Sequence, residues 1–231
     1  MKKISFKIKN IPIILYGEKS DKVYIVVHGK GGSKKDDESF AVKAEKIGYQ
    51  TLCFDLPEHG ERTAENYSCN AVNAVSDLTV IGEYVKGNWS NISLYAISLG
   101  AYFSLLAYKD YKLDNCLFLS PILDMERLIK NMMKWFNVSE EKLHKEKEIP
   151  TPMDETLYWD YYCFVIANKI EKWEAKTTIL YGSSDNLTER EVLDNFSKHF
   201  GCDVTVLTLG EHYFHTEKQL HFLDEWLDKH I

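Results

Sequence analysis

Short apolar runs rich in β-branched residues recur along this chain, and after the first two they are separated by longer amphipathic segments. That alternation leaves few folds open. Strands joined through helical crossovers lie parallel in one sheet with helices packed over it. The strand candidates are "KISFKI", "PIILYG", "KVYIVVHG", "YQTLCFDLP", "ISLYAIS", "NCLFLSP", "TTILYGSSD" and "DVTVLTLG". The first two lie close enough to pair as a hairpin about "KN", since antiparallel neighbours need only a tight turn. The expected fold is α/β: a mostly parallel sheet with an antiparallel N-terminal edge and helices on both faces.

Helical spacing is expected over residues 36–47, 70–86, 99–109, 188–200 and 216–229. The last carries its own start signal. Thr216 and Gln219 stand three apart as a capping box requires, ahead of Leu220, Leu223 and Leu227 on one face. Residues 124–174 break the alternation: they hold the charged stretch "SEEKLHKEKE" and the aromatic run "LYWDYYCFVI" but no good strand. An insertion of that length after the sixth sheet strand, carrying helices of its own, is expected to be a lid or cap. A chain of 231 residues is long enough to bury one sizeable core, so a single domain spanning 1–231 is expected.

A formal charge of −7 argues against nucleic acid, whose binding needs clustered Lys and Arg to neutralise phosphates. No window approaches the roughly 20 apolar residues of a membrane span, and the lysines at the start are not followed by the apolar core of an export signal. The five cysteines, Cys53, Cys69, Cys116, Cys163 and Cys202, are odd in number and contain no C-x-x-C pair, which suits a reduced, cytoplasmic protein. The glycine loop "HGKGGSK" fails both phosphate-binding patterns, because Lys34 stands where each needs a glycine.

Chemistry is expected at "YAISLGAY", where an apolar strand enters Ser98 and an apolar helix leaves it. A nucleophilic serine on such a turn needs small residues two before and two after it, where strand and helix backbones nearly touch. Ala96 and Gly100 meet that need, although glycine is usual at both positions. A serine hydroxyl also needs a base to take its proton and an acid to orient that base. Asp185, in "TTILYGSSDNLTE", follows a strand at the sheet edge where α/β sheets build their sites; capping the next helix is its competing role. His212 and His215 both follow the last strand. His212 lies in the loop behind Gly210 and is preferred as base, while His215 abuts the capping box. "HYFH" lacks the H-E-x-x-H pattern, so no metal is expected.

The order Ser98, Asp185, His212 is that of the α/β-hydrolase superfamily, which the chain resembles from about residue 20 onward. "VVHGKGG" is similar to the family's oxyanion loop. "FDLPEHGER" is similar to its D-x-x-G-H-G stretch, with Glu58 in place of the first glycine. "GSSDNLT" and "GEHYFHTEKQ" resemble the acid and base loops of small bacterial serine esterases. The resemblance implies an oxyanion hole from the Lys30 and Leu99 backbone N–H groups, structural roles for His28 and His59, and Asp124 as a reserve acid. It also implies a serine carboxylesterase acting on small or medium acyl esters with no cofactor, a thioesterase or amidase being close variants. Tyr158, Trp159 and Tyr162 of the aromatic run are candidate substrate contacts, against a competing role in packing the lid onto the body. The alternative from another class is a non-catalytic scaffold of the same fold, binding a small apolar ligand or a protein.

Overall fold

The computed structural model describes residues 1–152 and 155–231. Strands β1 (Lys3–Ile8) and β2 (Ile11–Tyr16) form an antiparallel hairpin turning at Lys9 and Asn10. β2 runs antiparallel to β4 (Gln50–Phe54) as well. From there every pairing is parallel, through β3 (Lys22–Val27), β5 (Asn91–Ile97), β6 (Cys116–Leu119), β9 (Thr177–Gly182) and β10 (Asp203–Leu207). The sheet order is β1-β2-β4-β3-β5-β6-β9-β10. All eight strand candidates take part.

Alternation along β3 shows why the sheet is covered on both sides. Val23, Ile25 and Val27 enter one apolar cluster with α2 (Ala71–Asn88), α3 (Leu99–Ala107) and α7 (Arg190–Phe200). Tyr24 and Val26 enter a second cluster with α1 (Glu38–Lys46) and α8 (Glu217–His230). These five helices begin and end within two residues of the expected ranges. The start of α8 is the capping box: the Thr216 hydroxyl accepts the Gln219 N–H, and the Gln219 side chain accepts the Thr216 N–H.

Between β6 and β9 the chain forms α4 (Met125–Trp135), α5 (Glu140–Glu146), a hairpin of β7 (Glu148–Pro150) with β8 (Thr156–Tyr158), and α6 (Trp159–Ala167). The hairpin corrects the expectation that this segment contains no strand. Each of its strands has three residues and one buried side chain, Ile149 opposite Leu157, too short to write an alternating pattern into the sequence.

A buried acid lies ahead of α1. Asp37 is 9% exposed, and burial, with the Asp36 carboxylate beside it, pushes its pKa up to about 7. Between the unfolded value near 4 and that raised value the folded state holds more protons than the unfolded one, so stability falls as pH rises across this window. Asp37→Asn should remove the penalty, which is on the order of a few kcal/mol. Thermal unfolding is therefore expected to show the variant ahead of wild type at pH 8, with the gap closing towards pH 5. An equal gap at both pH values would contradict this.

Candidate active site

The carboxyl ends of the parallel strands share one edge of the sheet, and the loops after β3, β5, β9 and β10 converge there. Ser98 ends β5 and opens α3 with φ 50° and ψ −115°, a region that costs a non-glycine residue about 1–3 kcal/mol. Bonds on both sides hold it there: its N–H donates to Leu119 O (3.0 Å), and its carbonyl accepts the Ile122 N–H (3.1 Å). Its side chain makes no cap to α3. Instead Ser98 Oγ stands 2.8 Å from His212 Nε2.

The two small positions flanking Ser98 are not equivalent. A Cβ on Gly100 would collide with the carbonyl oxygens of Val27 and His28, so α3 starts against the end of β3 only because position 100 is glycine. Ala96 lies within β5 opposite Val27, its methyl buried in the apolar cluster beneath α3. The departure from glycine there is consequently compatible with the same turn.

His212 Nδ1 donates to Asp185 Oδ2 at 2.7 Å. The Asp185 carboxylate is fully buried, and its second oxygen accepts the Leu187 and Thr188 N–H groups at 2.8 and 2.9 Å. One oxygen thus serves His212 and the other the turn at Leu187 and Thr188; α7 starts beyond that turn, with Glu189 at its N-cap and no side-chain cap, so the competing role of Asp185 as helix cap is not realised. The acid and base loops are held together by Gly182 and Gly210: a Cβ on Gly182 would strike the backbone of Gly210 and Glu211, and the Ser184 N–H donates to Gly210 O at 2.7 Å.

His215 takes no part in this chain of bonds. Its Nδ1 faces Tyr213 O (2.9 Å) and Glu211 (3.3 Å), its ring stacks on Tyr213, and its N–H joins the α8 cap through Gln219. Asp124 caps α4 by accepting the Arg127 N–H at 2.9 Å; the His212 partner is Asp185.

The loop after β3 passes directly over the serine. A Cβ on Gly29 would lie 3.3 Å from both Ile97 O and Ser98 Cβ, so Lys30 follows the residue in closest approach. Leu99 is the first residue of α3, where a helix leaves N–H groups without internal partners. Both N–H groups proposed for an oxyanion thus belong to segments bordering Ser98. The Lys30 ammonium pairs with Glu155 at the surface.

Two histidines and a buried ion pair fix that loop. His28 is pushed down to about 4, chiefly by burial, and stays a neutral ring: Nε2 accepts the Leu56 N–H (3.0 Å) while Nδ1 bonds Gly29 O (2.8 Å). His59 accepts the Gly31 N–H at 3.0 Å and bonds Pro57 O at 2.7 Å through its other nitrogen. Beneath them Lys34 pairs with Asp55 and, at 2.8 Å, with Glu61. Burial alone would push Asp55 up, but Lys34 and the N–H bonds from Lys34 and Glu61 hold it below the ordinary carboxylate range. The Lys34–Asp55 pair was not visible in the sequence, where the two residues stand 21 positions apart with nothing to link them.

Glu58, at the glycine position of the D-x-x-G-H-G stretch, has φ 62°. The left-handed backbone that favours glycine is thus retained, and the Glu58 carboxylate accepts the Cys69 N–H at 2.6 Å.

The aromatic run points mostly inward. Tyr162 is 1% exposed with its hydroxyl on Glu140. Trp159 packs on His144 and Tyr162, and Tyr158 is exposed. The hydrogen bond of Tyr162 and the ring contacts of Trp159 lie within the inserted segment and are those of packing. Which rings of the aromatic run face the body depends on the rotation of α6, which the sequence alone does not fix. Among the described residues no three His, Cys, Asp or Glu side chains gather as a metal site, and no helix is long and apolar enough to cross a membrane.

No family model matches the sequence, and no curated protein matches it. Solved structures do. Est1E from Butyrivibrio proteoclasticus, in a complex with ferulic acid, superposes with a TM-score of 0.75 at 18% identity, over 98% of this chain and 96% of its own. Alpha/beta hydrolase domain-containing protein 10 from mouse gives 0.76 at 14% identity, over 99% and 98% of the two chains. A thioesterase domain from the curacin biosynthetic pathway gives 0.62 at 15%, over 98% and 99%. At such identities the likeness is one of fold.

Proposed function

Starting from a chain that has the α/β-hydrolase fold, we propose that it is a serine hydrolase, a carboxylesterase for small to medium acyl esters. The observation that carries this reading is the unbroken chain Ser98 Oγ, His212 Nε2 (2.8 Å), His212 Nδ1, Asp185 Oδ2 (2.7 Å). A serine used only as a helix cap has no need of a strained backbone or of a histidine partner. The similarity to Est1E, an esterase by its name and seen with ferulic acid, supports an ester substrate.

In this mechanism Ser98 Oγ attacks the ester carbonyl carbon as His212 Nε2 takes the hydroxyl proton. Asp185 keeps Nδ1 protonated and stabilises the imidazolium, which leaves Nε2 free to accept. The tetrahedral oxyanion is held by the Lys30 and Leu99 N–H groups, each such donor contributing about 3 kcal/mol of transition-state stabilisation. His212 then gives its proton to the leaving alcohol, and water, activated by the same ring, releases the acyl group from Ser98. Residues 124–174 act as a lid on this site within one domain. Thioesters would pass through the same steps, as the likeness to a thioesterase domain suggests.

Turnover of p-nitrophenyl acetate tests the reading. Wild type should hydrolyse it and Ser98→Ala should not, with circular dichroism showing both folded. Equal rates in the two proteins would remove Ser98 from the chemistry.

A further inference from the structure

Ser98 and Asp185 meet through the His212 ring, and a second connection between them runs through the backbone. It passes by way of Thr188, which is 3% exposed and lies in the turn between β9 and α7. The Thr188 N–H donates to Asp185 Oδ1 at 2.9 Å, its hydroxyl donates to Pro121 O at 2.8 Å, and its carbonyl accepts the Tyr181 hydroxyl at 2.8 Å. A threonine hydroxyl ordinarily finds its acceptor in its own turn or helix. This one reaches a carbonyl 67 positions away. One buried residue thus holds the acid, the loop after β6 and strand β9 through three different groups.

The Pro121 carbonyl lies in a strained turn. Ser120 has φ 43°, a left-handed backbone that is uncommon for a residue other than glycine, and its buried hydroxyl makes no hydrogen bond. The side chain of Ser120 therefore does not hold the turn. Bonds from outside do: the Ser120 N–H donates to Leu180 O at 2.8 Å, and the Ile122 N–H to Ser98 O at 3.1 Å. Pro121 has no N–H to offer, so its carbonyl, bonded to Thr188, is its attachment. Strained backbone persists only where the surroundings over-determine it. Ser98, itself at φ 50°, is bonded to both ends of this turn, since its N–H donates to Leu119 O. The two strained turns share bonds, and Thr188 joins them to the acid. Burial, and after it the Asp185 carboxylate, pushes the Tyr181 phenol above its ordinary range, so Tyr181 keeps its proton and remains the donor to Thr188.

We propose that Thr188 is a positioning residue for the reaction: it sets the Asp185 carboxylate against His212 and keeps the acid loop in register with the turn that holds Ser98. The proposal rests on the reading of Ser98, His212 and Asp185 as the reacting unit. Asp185 Oδ1 is anchored by the Leu187 and Thr188 N–H groups, so the rotation of the carboxylate follows the placement of those two residues. Oδ2, which serves His212 Nδ1, turns with it. Removing the Thr188 hydroxyl frees the acid loop from the β6 turn, and the acid and the serine backbone can then shift relative to each other. A misplacement of about 1 Å can cost 100-fold in rate, and the smaller shift expected here about tenfold.

Thr188→Val keeps the side-chain shape and the backbone N–H and removes only the hydroxyl, whereas Thr188→Ser keeps the hydroxyl. With p-nitrophenyl acetate, Thr188→Val should lower kcat about tenfold with KM within about twofold of wild type, and Thr188→Ser should stay within about twofold in both. Tyr108→Phe is the control for plain loss of a buried bond, since it removes one from a phenol to Leu78 O at 3.0 Å; its Tm should fall comparably while kcat holds. The second readout is the proton NMR signal of His212 Nδ1, identified by its loss in His212→Ala. That proton should exchange with water faster in Thr188→Val and return to the wild-type rate in Thr188→Ser. Wild-type kcat or an unchanged Nδ1 signal in Thr188→Val, equal losses of kcat in Tyr108→Phe, or a Thr188→Ser protein as slow as Thr188→Val would overturn the proposal and leave Thr188 a packing residue. If wild type turned over no ester while the Nδ1 proton still exchanged faster in Thr188→Val, the nucleophile reading would fail and the placement of Asp185 by Thr188 would stand.

Discussion

Replacing His212 with alanine is expected to lower kcat/KM for p-nitrophenyl acetate by about 10,000-fold or more, because base and nucleophile act as one unit and removing either forfeits nearly the whole contribution. His215→Ala, three residues away, should keep most of the activity. The contrast follows from hydrogen bonds rather than from distance along the chain: His212 stands between Ser98 and Asp185, while His215 stacks on Tyr213 and joins the α8 cap. The backbone bond to Gln219 survives this substitution, but loss of the ring's contacts with Tyr213 and Glu211 should cost His215→Ala some stability, so activity is compared below the unfolding range of both proteins. If His215→Ala proved the inactive variant, the assignment of the base would be wrong.

The second large effect is expected at Gly100. A Cβ there must displace the end of β3 or the start of α3, since it meets the carbonyl oxygens of Val27 and His28. Overpacking of this kind costs about 1–3 kcal/mol, a drop of several degrees in Tm for a chain of this size. Activity should fall further than stability does. The Val27 and His28 carbonyls lead into the Gly29–Lys30 turn, and a shift of about 1 Å at a reacting centre can cost 100-fold in rate. Ala96→Gly provides the opposite case. It restores the residue more usual at this turn, but it removes a buried methyl and adds chain entropy, so it should cost about 1 kcal/mol with turnover nearly unchanged. Differential scanning calorimetry and ester kinetics on the two variants check both statements; equal activity losses would mean that the two flanking positions are equivalent after all.

This asymmetry also shows what the sequence could and could not convey. The eight sheet strands were legible because each carries an apolar run, and the five helices around them because their apolar residues repeat at helical spacing. Ser98, Asp185 and His212 could be singled out because each follows a strand at the edge where parallel sheets build sites, in a distinctive order. The positive φ at Ser98 could only be inferred from the small residues beside it. Glu58 read as a departure from a glycine pattern, yet the backbone keeps the left-handed turn and uses the carboxylate to hold the Cys69 N–H; motif matching weighs residue identity and is blind to that compensation. Lys34 and Asp55 are joined by tertiary packing alone. The aromatic run of α6 was conspicuous, but only the folded helix distinguishes Tyr162, bonded to Glu140, from Tyr161, whose hydroxyl has no partner.

The histidines near the serine illustrate how environment divides similar residues. His28 is buried, stays neutral and serves as a strut between the glycine loop and the loop after β4. His59 ties Gly31 to the same region. His212 alone is placed with one nitrogen on a hydroxyl and the other on a buried carboxylate, the arrangement a general base requires.

The most direct measurement is covalent labelling with a fluorophosphonate, which phosphonylates a serine only when a base and an oxyanion site activate it, followed by mass spectrometry of the digested protein. The expected result is a single adduct on Ser98 in wild type, with none in Ser98→Ala and strongly slowed labelling in His212→Ala. A folded wild type that remains unlabelled, or an adduct that persists in Ser98→Ala, would contradict the assignment of Ser98 as the nucleophile.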